Sequence, residues 1–333
     1  MGFHGLAPPD RWGCFRRSVG VWLVLTLVLG TAVVPEAWAV DYYVDTGGND
    51  SNDGSSGAPW KTLTHALGQV ADGDVIHMAP GLYDTPGNGE AFPLALVDGV
   101  AILGNVADPS QVEIEVPGSD TNVFANTDTP LSASTRLAGV TLRDDGTADT
   151  TLMWFGVGSA TMSPQIDHNI FSGDSALDEA VSYDDISSMA GTFTPTIDNN
   201  DFENLYTAIW QYDLQNGPGQ VFSPVITNNT FTANDYPISY TMSSDAEGTV
   251  GGLVQDNTFT GTSDEEIYVY FYPLYYGAGL VFNPTITAND MQSGASTNVV
   301  AYLYGYSYEG GATFAPVITN NTMDANDHNV AMS

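Results

Sequence analysis

Along the second half of the chain, hydrophobic and polar positions recur in a fixed order, Ile/Val-x-x-Asn-x-Phe/Met, with the asparagines at Asn169, Asn200, Asn229, Asn257, Asn289 and Asn321. The intervals are 31, 29, 28, 32 and 32 residues. A near-constant period of this length marks a stacked array, in which one unit buries its apolar face only against its neighbours. The pattern extends upstream as Phe-x-Pro-x-Ile-x-x-Asn at Phe193, Phe222, Phe282 and Phe314; Met162 with Pro164, and Val250 with Gly252, take the same offsets in the other two copies. Proline has no N–H to donate, so it predicts the start of a paired strand. The stretch from proline to asparagine is too short for a helix and alternates like a strand. Asparagine enters the left-handed region more readily than other side-chain-bearing residues, so the sharp bend is expected at the asparagine itself. Phe171, Phe202, Phe231, Phe259, Met291 and Met323 then open a second strand that returns to the same core. Stacked at ~4.8 Å, equivalent asparagines would bond one another's amides from coil to coil.

A third strand, rich in aromatic and β-branched residues, follows each bend: Ala208 to Tyr212, Ile238 to Tyr240, Ile267 to Phe271 and Val299 to Leu303. Glycines then break the chain before the next repeat, at Gly217 and Gly219, at Gly248 with Gly251 and Gly252, at Gly277 and Gly279, and at Gly310 and Gly311. Three strands and three turns make one coil of about 30 residues. A leucine-rich repeat would need closely spaced leucines and a helical return, and neither is present. A β-sandwich would not repeat the same residues at one period.

The chain at this point resembles a right-handed parallel β-helix of the pectin-lyase-like superfamily. The segments Tyr42-Tyr43-Val44-Asp45, Gly48 to Gly54, Trp60-Lys61-Thr62-Leu63, Gly73-Asp74-Val75-Ile76 and Ala79-Pro80-Gly81-Leu82-Tyr83 are similar to the opening segment of unknown function found in many bacterial β-helix proteins and some polysaccharide lyases. Between Pro59 and Ala71 the side chains of Trp60, Leu63, Ala66, Leu67 and Val70 fall at helical spacing, predicting a helix that caps the open end of the stack. Less regular first coils are expected near residues 75–78, 100–103, 112–116 and 137–142.

Ahead of this, Arg16 and Arg17 precede an apolar run from Val19 to Val34, and Ala37-Trp38-Ala39 offers the small residues read at a signal cleavage site. The expected organisation is a signal peptide over 1–39, the cap and first coils over 40–105, and the repeats over 106–333. Export places the mature protein outside the cell or on its surface, with no membrane insertion after cleavage. Cys14, the single cysteine, leaves with the signal, so no disulfide is expected. The chain stops at Ser333 partway through a coil, which leaves that end as an expected surface for association.

Charge narrows the functional classes. The full chain carries a formal net charge of −34, with 40 acids and 6 bases. Beyond residue 39 the only bases are Lys61, Arg136 and Arg143, so the repeats present an acidic surface. Nucleic acid is excluded as a partner, because its binding rests on cations that neutralise phosphate. Polysaccharide lyases of the resembled superfamily abstract a proton with Lys or Arg, and Arg143 is the one candidate here. Glycoside hydrolases of that fold use clustered carboxylates, for which Asp184, Asp185, Asp198, Asp201 and Asp213, with His168, are the candidates; turns and surface explain the same residues. Asp45, Asn49, Asp50, Asn52 and Asp53 place oxygen donors in a glycine-rich loop, a ligand type that suits Ca2+ and equally the ordinary chemistry of tight turns. No cofactor is required. The third strand offers Trp210, Tyr212, Tyr240, Tyr268, Tyr270, Tyr302 and Tyr304 on successive coils, where outward rings would stack on the sugars of a neutral polysaccharide or cell-surface glycan and inward ones would fill the core. The expected function is a non-catalytic carbohydrate-binding, adhesion or structural module; the alternative is a glycan-active enzyme, a hydrolase before a lyase.

Overall fold

The computed structural model describes residues 39–333 apart from 118–121, 145, 147–149, 174–176, 186–190, 215–218, 243–247, 262–264, 272–278, 292–296, 304–312, 324–327 and 333. Side chains are also left undescribed at 185, 212–214, 242, 265–266, 268–271, 297–303 and 328–332. The predicted signal peptide lies outside the described residues, and Trp38–Ser333 forms one compact unit.

The chain is an all-β parallel solenoid. Every strand pair joins one coil to the next in parallel register, and no strand pairs with its sequence neighbour in the regular coils. A representative coil runs Thr161–Met162, Gln165–Asp167, Ile170–Ser172 and Glu179–Asp185. Stacking of these segments builds four sheets among the described residues, of 6, 10, 9 and 8 strands respectively. The ten-, nine- and eight-stranded sheets, here the first, second and third, correspond to the three strands expected from the repeat. The fourth, short sheet is an addition. The two residues ahead of each proline pair with their equivalents, as Thr192–Phe193 does with Val221–Phe222, before proline turns the chain into the first sheet. Proline fits this corner because its carbonyl accepts from the next coil while its missing N–H is not needed: Thr196 N donates to Pro164 O and Val225 N to Pro195 O.

The bend between the first and second sheets carries the asparagine ladder. Each backbone N–H and each Nδ2 donates to the Oδ1 of the next asparagine along, at 3.0 and 3.1 Å from Asn169 to Asn200 and at 2.9 and 3.0 Å from Asn229 to Asn257. The same Nδ2 also donates to a carbonyl of the preceding coil, as Asn229 does to Ile197 O at 2.9 Å. Asn169 through Asn289 are each 1% exposed. The left-handed residue is not the asparagine, as expected from the sequence, but the residue before it: His168, Asn199, Asn228, Asp256, Ala288 and Asn320 have φ between 52° and 58°. That residue absorbs the turn outside the tube, which leaves the following asparagine free to point its amide inward. Val140 occupies the ladder position one coil earlier, where Asn169 Oδ1 accepts from its N–H.

Inside the tube, identical side chains stack on themselves. Phe171, Phe202, Phe231 and Phe259 form a column with centroids 4.8, 4.9 and 4.8 Å apart and planes within 10° of parallel. These distances equal the strand spacing of a sheet, so aromatic stacking and backbone pairing share one repeat. Leu137, Ile166, Ile197, Ile226, Val254 and Ile286 make a second buried column on the first sheet.

The N-terminal helix forms over Leu63–Leu67, shorter than the span predicted. Trp60 is instead extended and bonded to Tyr43 and Asp45, with its ring stacked on Tyr42 at 4.8 Å. Thr62 caps the helix by accepting from His65 N, and the buried Glu90 carboxylate accepts from Leu63 N at 2.6 Å and Thr64 N at 2.8 Å. Leu63 and Ala66 are fully buried in the core. The predicted strand over 137–142 is split into Arg136–Ala138 and Thr141–Asp144, because Gly139 at φ 75° turns the corner between two sheets. Among the described residues no helix is long and apolar enough to cross a bilayer.

Replacing the central ladder residue, Asn229→Ala, takes away the acceptor of Asn200 N and the side-chain donor of Ile197 O. Buried unpaired polar groups cost about 1–3 kcal/mol each, so the urea midpoint should fall markedly. An exposed control, Thr232→Ala, should move it little, and equal midpoints for the two variants would contradict the ladder's role.

Candidate functional site

The third sheet carries the aromatic positions, and its register fixes which of them face out. In strand Thr207–Leu214 the residues Thr207, Ala208, Ile209 and Gln211 are buried, while Trp210 is half-buried on the outer face. Trp210 pairs with Ser182 on one side and Ser239 on the other; Ser182 pairs in turn with Trp154, and Ser239 with Tyr268. Ser182 and Ser239 are only 4% and 5% exposed although they stand on the outward row. Large and small residues therefore alternate along the row, since an indole leaning over the next coil needs a small residue beneath it. Trp210 Nε1 reaches toward Thr241 Oγ1 of that next coil at 3.5 Å.

Between the two coils lies a groove of about 190 Å³, lined by Tyr206, Thr207, Trp210, Tyr236, Ser239 and Thr241. Tyr206 and Tyr236 meet edge to face at 5.3 Å along one rim. Enclosed small-molecule pockets run to about 300–1,000 Å³, so this groove suits a ring lying on the surface more than a swallowed ligand.

Two of the expected aromatic ligands have described side chains. Trp210 faces outward as expected. Tyr240 does not: it is 1% exposed, follows Tyr183 and Gln211 in an inward row, and packs edge to face on Phe222 at 5.7 Å and Phe282 at 6.2 Å. Burial pushes its hydroxyl pKa up, and the hydroxyl finds no hydrogen-bond partner among the described residues. Tyr212, Tyr268, Tyr270 and Tyr302 hold register positions in the third sheet, with side chains outside the described residues; Tyr304 lies outside them altogether.

The candidate catalytic residues fall in two groups on different sheets. His168, Asp198 and Asp201 flank the asparagine bend between the first and second sheets, whereas Asp184, Asp185 and Asp213 belong to the third sheet. Asp198 is fully engaged: Oδ1 accepts from Thr227 Oγ1 at 2.6 Å and Asn228 Nδ2 at 2.8 Å, and Oδ2 accepts from Asn199 Nδ2 at 2.5 Å. His168 Nδ1 meets Asp167 Oδ2 at 2.8 Å, and Asp167 is also held by Arg136. Burial alone would raise the Asp167 pKa, but the Arg136 and His168 hydrogen bonds outweigh it and hold the carboxyl below its usual range. Arg143 lies on the second sheet, bridged to Glu115 at 2.7 Å and Glu113 at 3.0 Å, and away from the aromatic row. Two of the three cations beyond residue 39 are thus neutralised by paired carboxylates. The side chains of Asp185 and Asp213 lie outside the described residues.

The glycine-rich loop spends its oxygens on its own turns. Asp45 Oδ1 accepts from Gly47 N, Asn49 Oδ1 from Ser51 N and Asp53 Oδ1 from Ser55 N. Asp50 accepts from Lys61 N, Thr62 N and Thr62 Oγ1, and Asn52 Nδ2 donates to Pro59 O. Among the described residues no three His, Cys, Asp or Glu side chains are grouped to hold a metal.

Sequence reasoning missed Trp154, Tyr206, Tyr236 and Glu179. Trp154 stands two register steps before Trp210 and 56 residues earlier in the chain, so the repeat period itself pointed to it. Glu179 pairs in register with Thr207 of the groove and with Thr151, whose hydroxyl donates to it at 3.0 Å. Burial raises its pKa to about 7, with the Asp178 charge adding to the rise and bonds from Thr151 and Ser182 opposing it. Asp184 is five residues further along the same strand, or roughly 16 Å away at strand rise. Inverting glycosidases place their two carboxyls ~6.5–9.5 Å apart and retaining ones closer still, so this pair does not match either geometry.

The stacked parallel sheets and the asparagine ladder define a parallel β-helix. Residues 46–274 match the family described as "Protein of unknown function (DUF1565)", and the chain belongs to that family. No curated protein matches it. Similar solved structures include a rhamnogalacturonan lyase (14% identity, 85% of this chain and 88% of that one, TM-score 0.41), the GH136 lacto-N-biosidase of Eubacterium ramulus (8%, 88% and 68%, 0.43) and the pectate lyase Pel9A (15%, 86% and 79%, 0.38).

Two outcomes test these placements. Glu179, with its folded pKa raised above the unfolded value, contributes stability that is present below the unfolded pKa and lost as pH rises through about 7. Glu179→Gln should therefore melt higher than the parent at alkaline pH, with the difference shrinking in acid; a pH-independent difference would contradict the raised pKa. Tyr240→Phe removes a buried hydroxyl that has no hydrogen-bond partner among the described residues, and should leave the melting temperature equal or higher. A clear drop would place that hydroxyl in a bonded or outward setting.

Proposed function

We propose that this is an exported, non-catalytic glycan-binding module that holds a neutral polysaccharide on the outer face of its third sheet. The observation that carries the reading is the groove at Trp210, where aromatic rims from Tyr206 and Tyr236 stand beside the hydroxyls of Thr207, Ser239 and Thr241. Aromatic faces stack on the apolar faces of sugar rings while hydroxyls and acids bond their polar edges. The net charge of −34 favours neutral over anionic glycans, since polyanions meet repulsion along the whole surface. Export follows from the N-terminal apolar run and its small-residue cleavage site, and neither cofactor nor metal enters the reading.

A second reading, a glycan-active hydrolase, is favoured by Glu179 alone: a carboxyl with pKa about 7 beside the groove has the protonation a general acid needs. Among the described residues, Asp178 beside it is buried and accepts from Thr150 N, and Asp184 stands roughly 16 Å along the strand, which weighs against it.

The purified protein, starting at Val40, should be retained by one or more neutral polysaccharides on an array. Trp210→Ala should weaken that retention by about tenfold, the worth of ~1.4 kcal/mol of lost stacking. Reducing-sugar and unsaturated-product assays run beside it should stay flat. Turnover of any glycan would overturn the non-catalytic reading, and absence of retention would overturn the binding one.

A further inference from the structure

The outward row of the third sheet reads Ala125, Trp154, Ser182, Trp210, Ser239 and Tyr268 in coil-to-coil register. Large and small positions alternate without exception over these coils. The large ones therefore recur every second coil, ~9.5 Å apart along the axis. The interior phenylalanines show the other arrangement, one ring on every coil at 4.8 Å. Each intervening serine is covered and contributes little surface of its own. Glu179 and Asp184 belong to the coil between the two tryptophans, on either side of Ser182 in the strand.

From this spacing we infer that Trp154 and Trp210 are paired stacking platforms for every second ring of an extended, two-fold, neutral β-1,4-linked glycan lying parallel to the solenoid axis. The inference rests on the glycan-binding reading and specifies its ligand. In such a chain each ring is turned over relative to the next, so alternate rings present the same face in the same orientation at a distance of one disaccharide. That distance matches two coils. A helical α-linked glucan does not keep alternate rings in line, and a uronan carries the charge that this surface repels. Tyr268 holds the next position of the row and would extend the site by one more disaccharide.

Binding of cellobiose, cellotriose and cellohexaose is measured by titration calorimetry, with maltohexaose and polygalacturonate as controls. A ring and the second ring after it need three sugars, so affinity should rise about tenfold from cellobiose to cellotriose. Trp154→Ala should remove that step, and Trp210→Ala should remove it from the other side. Trp154→Leu keeps apolar bulk without a flat ring; it guards against misfolding and should also lose the step. Binding of cello-oligosaccharides with no step, a step that survives Trp154→Leu, or equal affinity for maltohexaose would overturn the paired platforms while leaving glycan binding intact. If none of the glycans binds, the glycan-binding reading falls and the platforms with it.

Discussion

Each buried asparagine at the bend ties its own coil to the coils on both sides, through one backbone N–H and one side-chain amide that bond to groups of the neighbouring turns. A polar group this deep costs several kcal/mol unless it is satisfied, so the ladder tolerates only one alignment of successive coils. Slipping one coil by a single residue would strand two donors and an acceptor at each rung. The phenylalanine column has the same demand in apolar form, because parallel rings at 4.8–4.9 Å exist only if equivalent residues lie directly over one another. Polar and apolar columns thus specify the same register independently, which is the consistency expected of a sequence that defines one fold.

That register makes the outer surface a set of straight rows. A residue's function depends on its row and coil more than on its sequence neighbours. Trp154, Ser182 and Trp210 are 28 residues apart in sequence and adjacent in space. Charged residues follow the same logic. Arg136 lies over Gln165 in the first sheet and reaches along the next strand to pair with Asp167, and Arg143 stacks beside Glu115 in the second. The scarce cations are thereby absorbed on faces away from the aromatic row.

Most of the architecture was legible because the repeat is chemically explicit: proline, isoleucine, asparagine and phenylalanine each have one physical role at one offset. The asparagine ladder and the phenylalanine column stand where the period placed them. The bend conformation was assigned one residue late, since asparagine's preference for the left-handed region competes with its value as a buried amide, and the buried role prevailed. The short sheet before proline was invisible because two residues carry no periodicity. Facing in the third strand was harder still. Tyr240 and Trp210 both look like strand aromatics, and only the register with Gln211 and Ser239 separates the inward row from the outward one. Trp154 escaped because its coil lacks the asparagine that marks the later ones. The scattered aspartates could not be sorted by sequence, as turn chemistry and catalysis use the same side chain.

Native-state hydrogen exchange at the backbone amides of Asn200, Asn229 and Asn257 tests the coil register most directly. Each donates to the side chain of the next rung, so the account predicts exchange only through global unfolding, with protection equal to that of Ile197 and Ile226 in the buried column beside them. Exchange of those three amides at the rate of exposed surface positions, while the isoleucines stay protected, would contradict it.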